Sequence, residues 1–123
     1  MNDLQFVAKL QVVIAKEGGF DELNALTHRE SGSRELYLCK FRDAAIYLAR
    51  THTDLGVVRL GELFGDRRAS AITAACQREE LRLKRNLKRR DGKTHVQWHE
   101  HLLSLVIEDA PKPMPDEEDG SNA

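Results

Sequence analysis

Apolar residues recur at intervals of three and four along most of this sequence, the spacing that places them on one face of an α-helix. The longest such stretch runs from Leu36 to Arg50, and its apolar positions are Leu38, Phe41, Ala45, Leu48 and Ala49. Aromatic residues make up 6% of the chain, a composition more typical of packed helices than of a β-sandwich. Because 123 residues usually organise one core, we predict an all-α fold formed by a single compact domain.

Glycine, serine and aspartate residues divide the periodic stretches into about five to six helices. The first is expected from about Asp3 to Glu17, where Gly18 and Gly19 stop it, and a short helical turn is expected around residues 21–26. The segment THRESGSRE is then expected to be an exposed loop. The remaining predicted helices are Leu36 to Arg50, VVRLGELF over two turns, Arg67 or Arg68 to about Lys88 before a stop at Asp91-Gly92, and HVQWHEHLLSLVIE.

The net charge of −1 is unevenly distributed. Residues 27–93 carry 16 basic and nine acidic side chains, whereas residues 108–123 carry one basic and six acidic ones. A basic middle segment can bind phosphate in a neutral protein, because screening limits the field to about one Debye length, roughly 8 Å in physiological salt. The tail holds all three prolines and four clustered acids, so we expect a folded domain over residues 1–109 and a disordered acidic tail over residues 110–123.

Several function classes find little support in the sequence. No apolar run approaches the roughly 20 residues of a membrane span, and the N-terminus does not resemble a secretory signal, so a cytoplasmic protein without a membrane partner is expected. The sequence shows no nucleophile beside a recognisable base and no Walker-type loop, and we therefore expect no enzymatic activity, no cofactor and no bound nucleotide.

Cysteine and histidine residues give no clear metal motif. Cys39 and Cys76 lie in apolar stretches and are expected to be buried thiols rather than ligands or a disulfide. His95, His99 and His101 include an i, i+4 pair that could hold a metal, but no third ligand is evident at a suitable spacing. The sequence thus predicts no metal site.

The segment VVRLGELF, a turn containing glycine, and RRASAITAACQREELRLKR have the order of a helix-turn-helix, whose second helix enters the DNA major groove. The spacing alone fits many helical hairpins. Arg67, Arg68 and Ser70 fall at the start of the second helix, where side chains and backbone amides can reach bases and phosphates. Both arginines could instead be solvated turn residues, and the basic run from Arg82 to Lys93 could be a solvated face or a set of phosphate contacts.

The stretch from Lys40 to Glu79, KFRDAAIYLARTHTDLGVVRLGELFGDRRASAITAACQRE, resembles the C-terminal DNA-binding domain of the bacterial replication initiator DnaA. The resemblance covers roughly residues 21–107 and implies a helical fold of the Trp-repressor class. The positions that match the family pattern without a gap are Arg42, Ala45, Tyr47, Leu48, Ala49, Arg50, Thr53, Gly61, Phe64, Gly65, Arg67 and Ala75.

The resemblance also implies a DNA-binding surface. The family's base-reading segment corresponds to Arg68, Ala69, Ser70 and Ala71, among which Ser70 alone retains the hydroxyl chemistry of the family pattern. Asp43 replaces a glutamine of the family and would repel a phosphate there. The full set of DNA-binding residues expected in this way is Arg29, Arg34, Lys40, Arg42, Arg50, Val58, Arg67, Arg68, Ala69, Ser70, Ala71 and Thr73.

Two functions follow from these observations. The first is binding of double-stranded DNA by a nucleoid-associated transcription regulator, or by an accessory or competitor at replication-origin-like sites, without ATPase activity. The second is a protein-interaction module with the same fold, which docks on replication or transcription proteins and has lost sequence-specific DNA binding. Retention of Arg34, Arg42, Arg50, Arg67 and Arg68, which the resemblance assigns to one face, favours the first.

Overall fold

The computed structural model describes residues 1–20, 26–27 and 33–108, without the side chains of residues 33–36 and 108. This part of the chain is all-helical, as the apolar spacing predicts, and its five helices are α1 (Asp3–Glu17), α2 (Ser33–His52), α3 (Val57–Leu63), α4 (Ala69–Arg85) and α5 (His95–Glu108). None of these helices is long and apolar enough to cross a membrane. The predicted tail, Arg29 and nearly all of the predicted helical turn at 21–26 lie outside the described residues.

α1 has the predicted bounds because both of its ends carry local stop signals. The Asn2 side chain accepts a hydrogen bond from the Gln5 backbone N–H at 2.8 Å, and the Gln5 side chain accepts one from the Asn2 N–H at 3.0 Å. This reciprocal capping satisfies two donors that the first turn of a helix leaves unpaired. At the other end Gly19 has a φ of 78°, a conformation that favours glycine.

α2 is longer than the periodicity predicts. It begins at Ser33, so the last residues of the predicted loop, Arg34 and Glu35 among them, belong to its first turn. The helix continues to His52, and Thr53 closes it: the Thr53 hydroxyl lies 2.6 Å from the Ala49 carbonyl and accepts from the Leu55 N–H at 3.2 Å.

The core lies around α2, which packs against α1, α3 and α4. α1 in turn packs against α5, and α4 contacts both α3 and α5. The largest fully buried apolar side chains come from all five helices and from Leu26 and Phe64 outside them. Those within the helices include Leu10, Ile14, Leu38, Ile46, Leu48, Leu60, Ile72 and Leu102. Burial of such side chains supplies most of the stability of a domain this size.

The bounds of α4 differ from the prediction at both ends. It begins at Ala69, because the Arg67 N–H donates to the Gly61 carbonyl at 2.8 Å and so holds Arg67 outside the helix. It ends at Arg85 instead of about Lys88, since Asn86 adopts a left-handed conformation with a φ of 48°. The Asn86 side chain then accepts from the Val96 N–H at 2.9 Å, which ties the end of α4 to the start of α5. Asp91 and Gly92 therefore lie in the turn between α4 and α5 and do not end α4.

Candidate nucleic-acid interface

Gly61 allows α3 and α4 to meet through a close backbone contact. A Cβ atom added at Gly61 would lie 2.1 Å from the Arg67 carbonyl oxygen, far inside contact distance. The same approach allows the Arg67 N–H to reach the Gly61 carbonyl. The glycine at this position therefore fixes where residues 64–68 run and where α4 begins.

The turn between α3 and α4 is supported from outside as well. Gly65 has a φ of 88°, and a Cβ atom there would lie 2.2 Å from the Thr27 carbonyl oxygen. Asp66, which follows, also has a positive φ of 57°. The Gln11 side chain of α1 donates to the Leu63 carbonyl at 2.9 Å and thus satisfies an acceptor at the end of α3. These contacts hold the turn in one arrangement.

The first two turns of α4 face solution on one side and the core on the other. Arg68 occupies the N-cap position in an extended conformation, and no side chain among the described residues caps the helix there. Ser70, Ala71 and Thr73 are exposed, whereas Ile72 is buried on the opposite face. The first turn of α4 thus presents a basic side chain, a hydroxyl and a methyl group to an outside partner.

The other residues predicted to contact DNA lie near α3 and the middle of α4, or near the C-terminal end of α4. Val58 of α3 is 66% exposed, and Arg50 lies near Cys76 in the middle of α4, where its charge opposes the effect of burial that raises the pKa of the Cys76 thiol. Lys40 is exposed but lines a pocket with Arg85 at the other end of α4. It lies ten residues before Arg50, about 15 Å along α2 at 1.5 Å per residue.

Arg42 is placed inside the protein and not on the expected face. Only 5% of this residue is exposed, and its Nε donates to the Leu26 carbonyl at 2.8 Å. The guanidinium therefore links α2 to the segment before it and leaves little surface for an outside partner. Ala69 and Arg67 are half-buried. The expected face of five arginines is therefore wrong for Arg42. Arg29 and the side chain of Arg34 lie outside the described residues, so their contacts stay predictions.

Asp43, expected to repel a DNA phosphate, is instead buried and neutralised by α4. The Arg78 guanidinium donates to both of its carboxylate oxygens, at 2.8 and 2.9 Å, and Arg82 donates to Oδ2 at 2.8 Å. Hydrogen bonding to Asp43 raises the pKa of Arg78. Two arginines of α4 therefore join α4 to α2 through Asp43.

Glu79 joins the same polar network through Arg82 and extends it to α5. Its Oε1 accepts from Arg82 at 2.8 Å, and its Oε2 lies 2.6 Å from the Nε2 atoms of both His95 and His99 on α5. Burial favours the neutral acid, but the hydrogen bonds from these three side chains outweigh it and lower the pKa of Glu79 to about 2. Glu79 therefore holds α5 against α4 as a carboxylate.

Other predictions about side chains have mixed outcomes. Trp98 is buried in the core, as expected. The Arg89 guanidinium stacks 4.1 Å from the centre of its ring, so this arginine of the basic run from Arg82 to Lys93 contacts the protein. Cys39 and Cys76 are free thiols, as expected, but are half-buried rather than buried.

One exposed side chain was missed by the sequence reasoning. Gln77 is exposed on α4, and it lies seven residues after Ser70 and four after Thr73, so the helical period places all three on one stripe. That period was available from the sequence.

A comparison with models of known protein families finds no match for this chain, and a comparison with curated proteins finds no similar sequence.

Proposed function

We propose that the protein binds double-stranded DNA by inserting the first turns of α4 into the major groove, with α3 and the turn as the support. The observation that carries this proposal is the uncovered N-terminal end of α4, where Arg68, Ser70 and Thr73 are exposed while Ile72 anchors the opposite face. A major groove about 12 Å wide admits one α-helix, and helix-turn-helix proteins present this end of the second helix to base edges.

The side chains on the exposed stripe have the chemistry of base recognition. Arginine pairs with guanine O6 and N7, glutamine pairs with adenine, and hydroxyl groups accept or donate to either kind of base. Arg68, Ser70, Thr73 and Gln77 offer these groups within about three turns of one helix. Ala71 adds a methyl surface suited to the thymine methyl group.

Phosphate contacts come from the edges of the same surface. Arg50 is exposed beside the middle of α4, and the first N–H groups of α4 lie at the positive end of the helix dipole, which favours anions. The exposed Val58 fits the groove wall as an apolar contact. The resemblance of residues 40–79 to the DNA-binding domain of DnaA supports the same orientation, and we propose a role as a regulator or competitor at specific sites.

The direct test is titration of a fluorescent duplex of mixed sequence, about 20 base pairs long, with the full chain at several salt concentrations. Three or more phosphate contacts predict a log–log salt slope of about −3 or steeper, at roughly −0.9 per neutralised phosphate. Selection from random duplexes would then give the preferred site.

A matched pair of variants separates binding from general charge loss. Arg68→Ala removes a cation from the first turn of α4, whereas Arg59→Ala removes one from α3 that is already paired with Glu62 at 2.8 Å. The proposal predicts a weakened complex for the first variant alone. No binding to any duplex at low salt would overturn it and favour the protein-interaction module.

A further inference from the structure

The cluster formed by Glu79, His95 and His99 brings three ligand-type side chains from two helices to one point. Their candidate ligand atoms, Glu79 Oε2 and the two imidazole Nε2 atoms, all lie within 4.8 Å of one another. His95 and His99 are one turn apart on α5, and Glu79 faces them from α4. The sequence contained the histidine pair, but the third ligand comes from sixteen residues earlier in the chain.

The cluster is buried more deeply than a chance grouping on a surface. The Glu79 side chain is 0% exposed, that of His99 8% and that of His95 13%. Both imidazoles point Nε2 at the same carboxylate oxygen, at 2.6 Å each. A carboxylate can only accept here, so each contact carries a proton on the imidazole nitrogen. A metal ion can replace these protons, because it too bridges imidazole nitrogens to a carboxylate oxygen.

We propose that Glu79, His95 and His99 bind one Zn²⁺ ion, which would clamp α5 onto the C-terminal half of α4. Two imidazoles and one carboxylate form a recognised zinc ligand set. Imidazole nitrogen favours zinc over magnesium or calcium, which prefer all-oxygen sites.

The two contacts between Glu79 Oε2 and the imidazole nitrogens need little movement to admit an ion. Zinc–nitrogen distances of about 2.0–2.1 Å in a tetrahedral site place neighbouring ligand atoms roughly 3.3 Å apart. The two contacts of 2.6 Å therefore need to open by less than about 1 Å. Arg82 already donates to the second oxygen of Glu79 at 2.8 Å, and such an outer contact orients the carboxylate while its other oxygen binds the ion.

Part of the basic charge beside the cluster is cancelled within the protein. The charges of Asp43 and Glu79 cancel those of Arg78 and Arg82, since all four belong to one hydrogen-bonded network. A pocket of about 250 Å³ opens beside His95 and is lined by Lys40, Arg82, Arg85, Leu87, Lys88, Arg89 and His95. Its basic lining would attract an anion or water to the fourth zinc position, which three protein ligands leave open.

The test is titration of the full chain with ZnCl₂ in competition with a chromophoric chelator, together with the visible absorption of CoCl₂ as a reporter of tetrahedral coordination. The wild-type chain is expected to bind one ion. His95→Gln, which removes the most exposed of the three ligands, should weaken binding at least about tenfold, since even outer-shell changes cost 10- to 100-fold. His101→Gln is the matched control, because His101 lies on the same helix and contacts Glu17 instead.

A second measurement uses only the wild-type chain, so its outcome does not depend on whether a variant folds. NMR of the imidazole rings during the ZnCl₂ titration should show shifts of His95 and His99, while His52 and His101 remain unchanged. Equal affinity in wild-type and a folded His95→Gln chain, or zinc-induced shifts that spare His95 and His99, would overturn the proposal. This inference does not depend on DNA binding.

Discussion

The first two turns of α4 present Ser70, Ala71 and Thr73 to solution, whereas its last turns hold Arg78, Glu79 and Arg82 in contacts with α2 and α5. Both halves belong to one uninterrupted helix of 17 residues. The half richer in arginine and lysine is thus also the half in which Arg78 and Arg82 form ion pairs within the protein. A count of basic residues along this helix therefore does not identify the end that we propose for DNA binding.

The difference has a physical cause in how the helix is surrounded. The C-terminal half of α4 lies between α2 and α5, so its charged groups lose water and need partners, which Asp43 and the two histidines provide. The N-terminal half packs through a buried stripe that includes Ile72, and its outer side chains Ser70, Ala71 and Thr73 are exposed. Its outer face therefore remains open for a ligand.

We expect the largest effect from a change at Gly61, which disturbs the turn that supports the N-terminal half of α4. Gly61→Ala places a Cβ atom 2.1 Å from the Arg67 carbonyl, and the turn must move to relieve that overlap. We expect the free energy of unfolding to fall by about 2–4 kcal/mol, at or above the usual range for overpacking. Chemical denaturation would measure it.

Gly56→Ala is the matched control for that variant. A Cβ atom at Gly56 meets no atom within 4 Å, and Gly56 has a negative φ of −83°. Its effect should stay below about 1 kcal/mol, the usual scale of a helix-cap change. Equal losses in the two variants would contradict the role given to the Gly61 contact.

The next effect concerns the engaged half of α4. Asp43→Ala removes the acceptor that Arg78 and Arg82 share. Because their side chains are 48% and 29% exposed, both arginines can turn towards water, and we expect a loss of roughly 1–3 kcal/mol, the range for charged hydrogen bonds. Thermal denaturation would measure it, with Asp54→Ala as an exposed acidic control.

The same variant also tests which half of α4 selects the DNA sequence. Release of two guanidinium groups at the C-terminal half should leave the preferred sequence unchanged, since the residues that we propose to read the bases are in the other half. A changed selected site in a folded Asp43→Ala chain would mean that both halves of α4 contribute to recognition.

The smallest effect is expected at the exposed end. Arg68→Ala should change the unfolding free energy by less than about 0.5 kcal/mol, as exposed substitutions usually do. The same variant should reduce discrimination among duplexes by about 1–3 kcal/mol if Arg68 pairs with a guanine. Parallel denaturation and binding measurements would separate the two effects, and a loss of stability without a loss of discrimination would contradict the assignment.

Local signals in the sequence predicted most of the helices but not the partners of their polar side chains. α1 and α5 have the bounds expected from caps and apolar spacing. The resemblance placed Arg42 on the DNA-binding face, but residues 41–46 in the centre of α2 are all buried, so this stretch has no solvent face for periodicity to identify. The contacts of Asp43 with Arg78, and of Glu79 with His95, join residues 35 and 16 positions apart, and a single sequence does not encode such pairings locally.

Two-dimensional ¹⁵N NMR of the full chain, titrated with a duplex at low salt, shows which half of α4 contacts DNA. We expect the amide shifts to concentrate at residues 68–73, with further changes near Arg50 and Val58, and we expect the amide signals of residues 78–85 to shift little. Shifts confined to the C-terminal half of α4, or to α1 and α5, would contradict the assignment of the DNA-binding end.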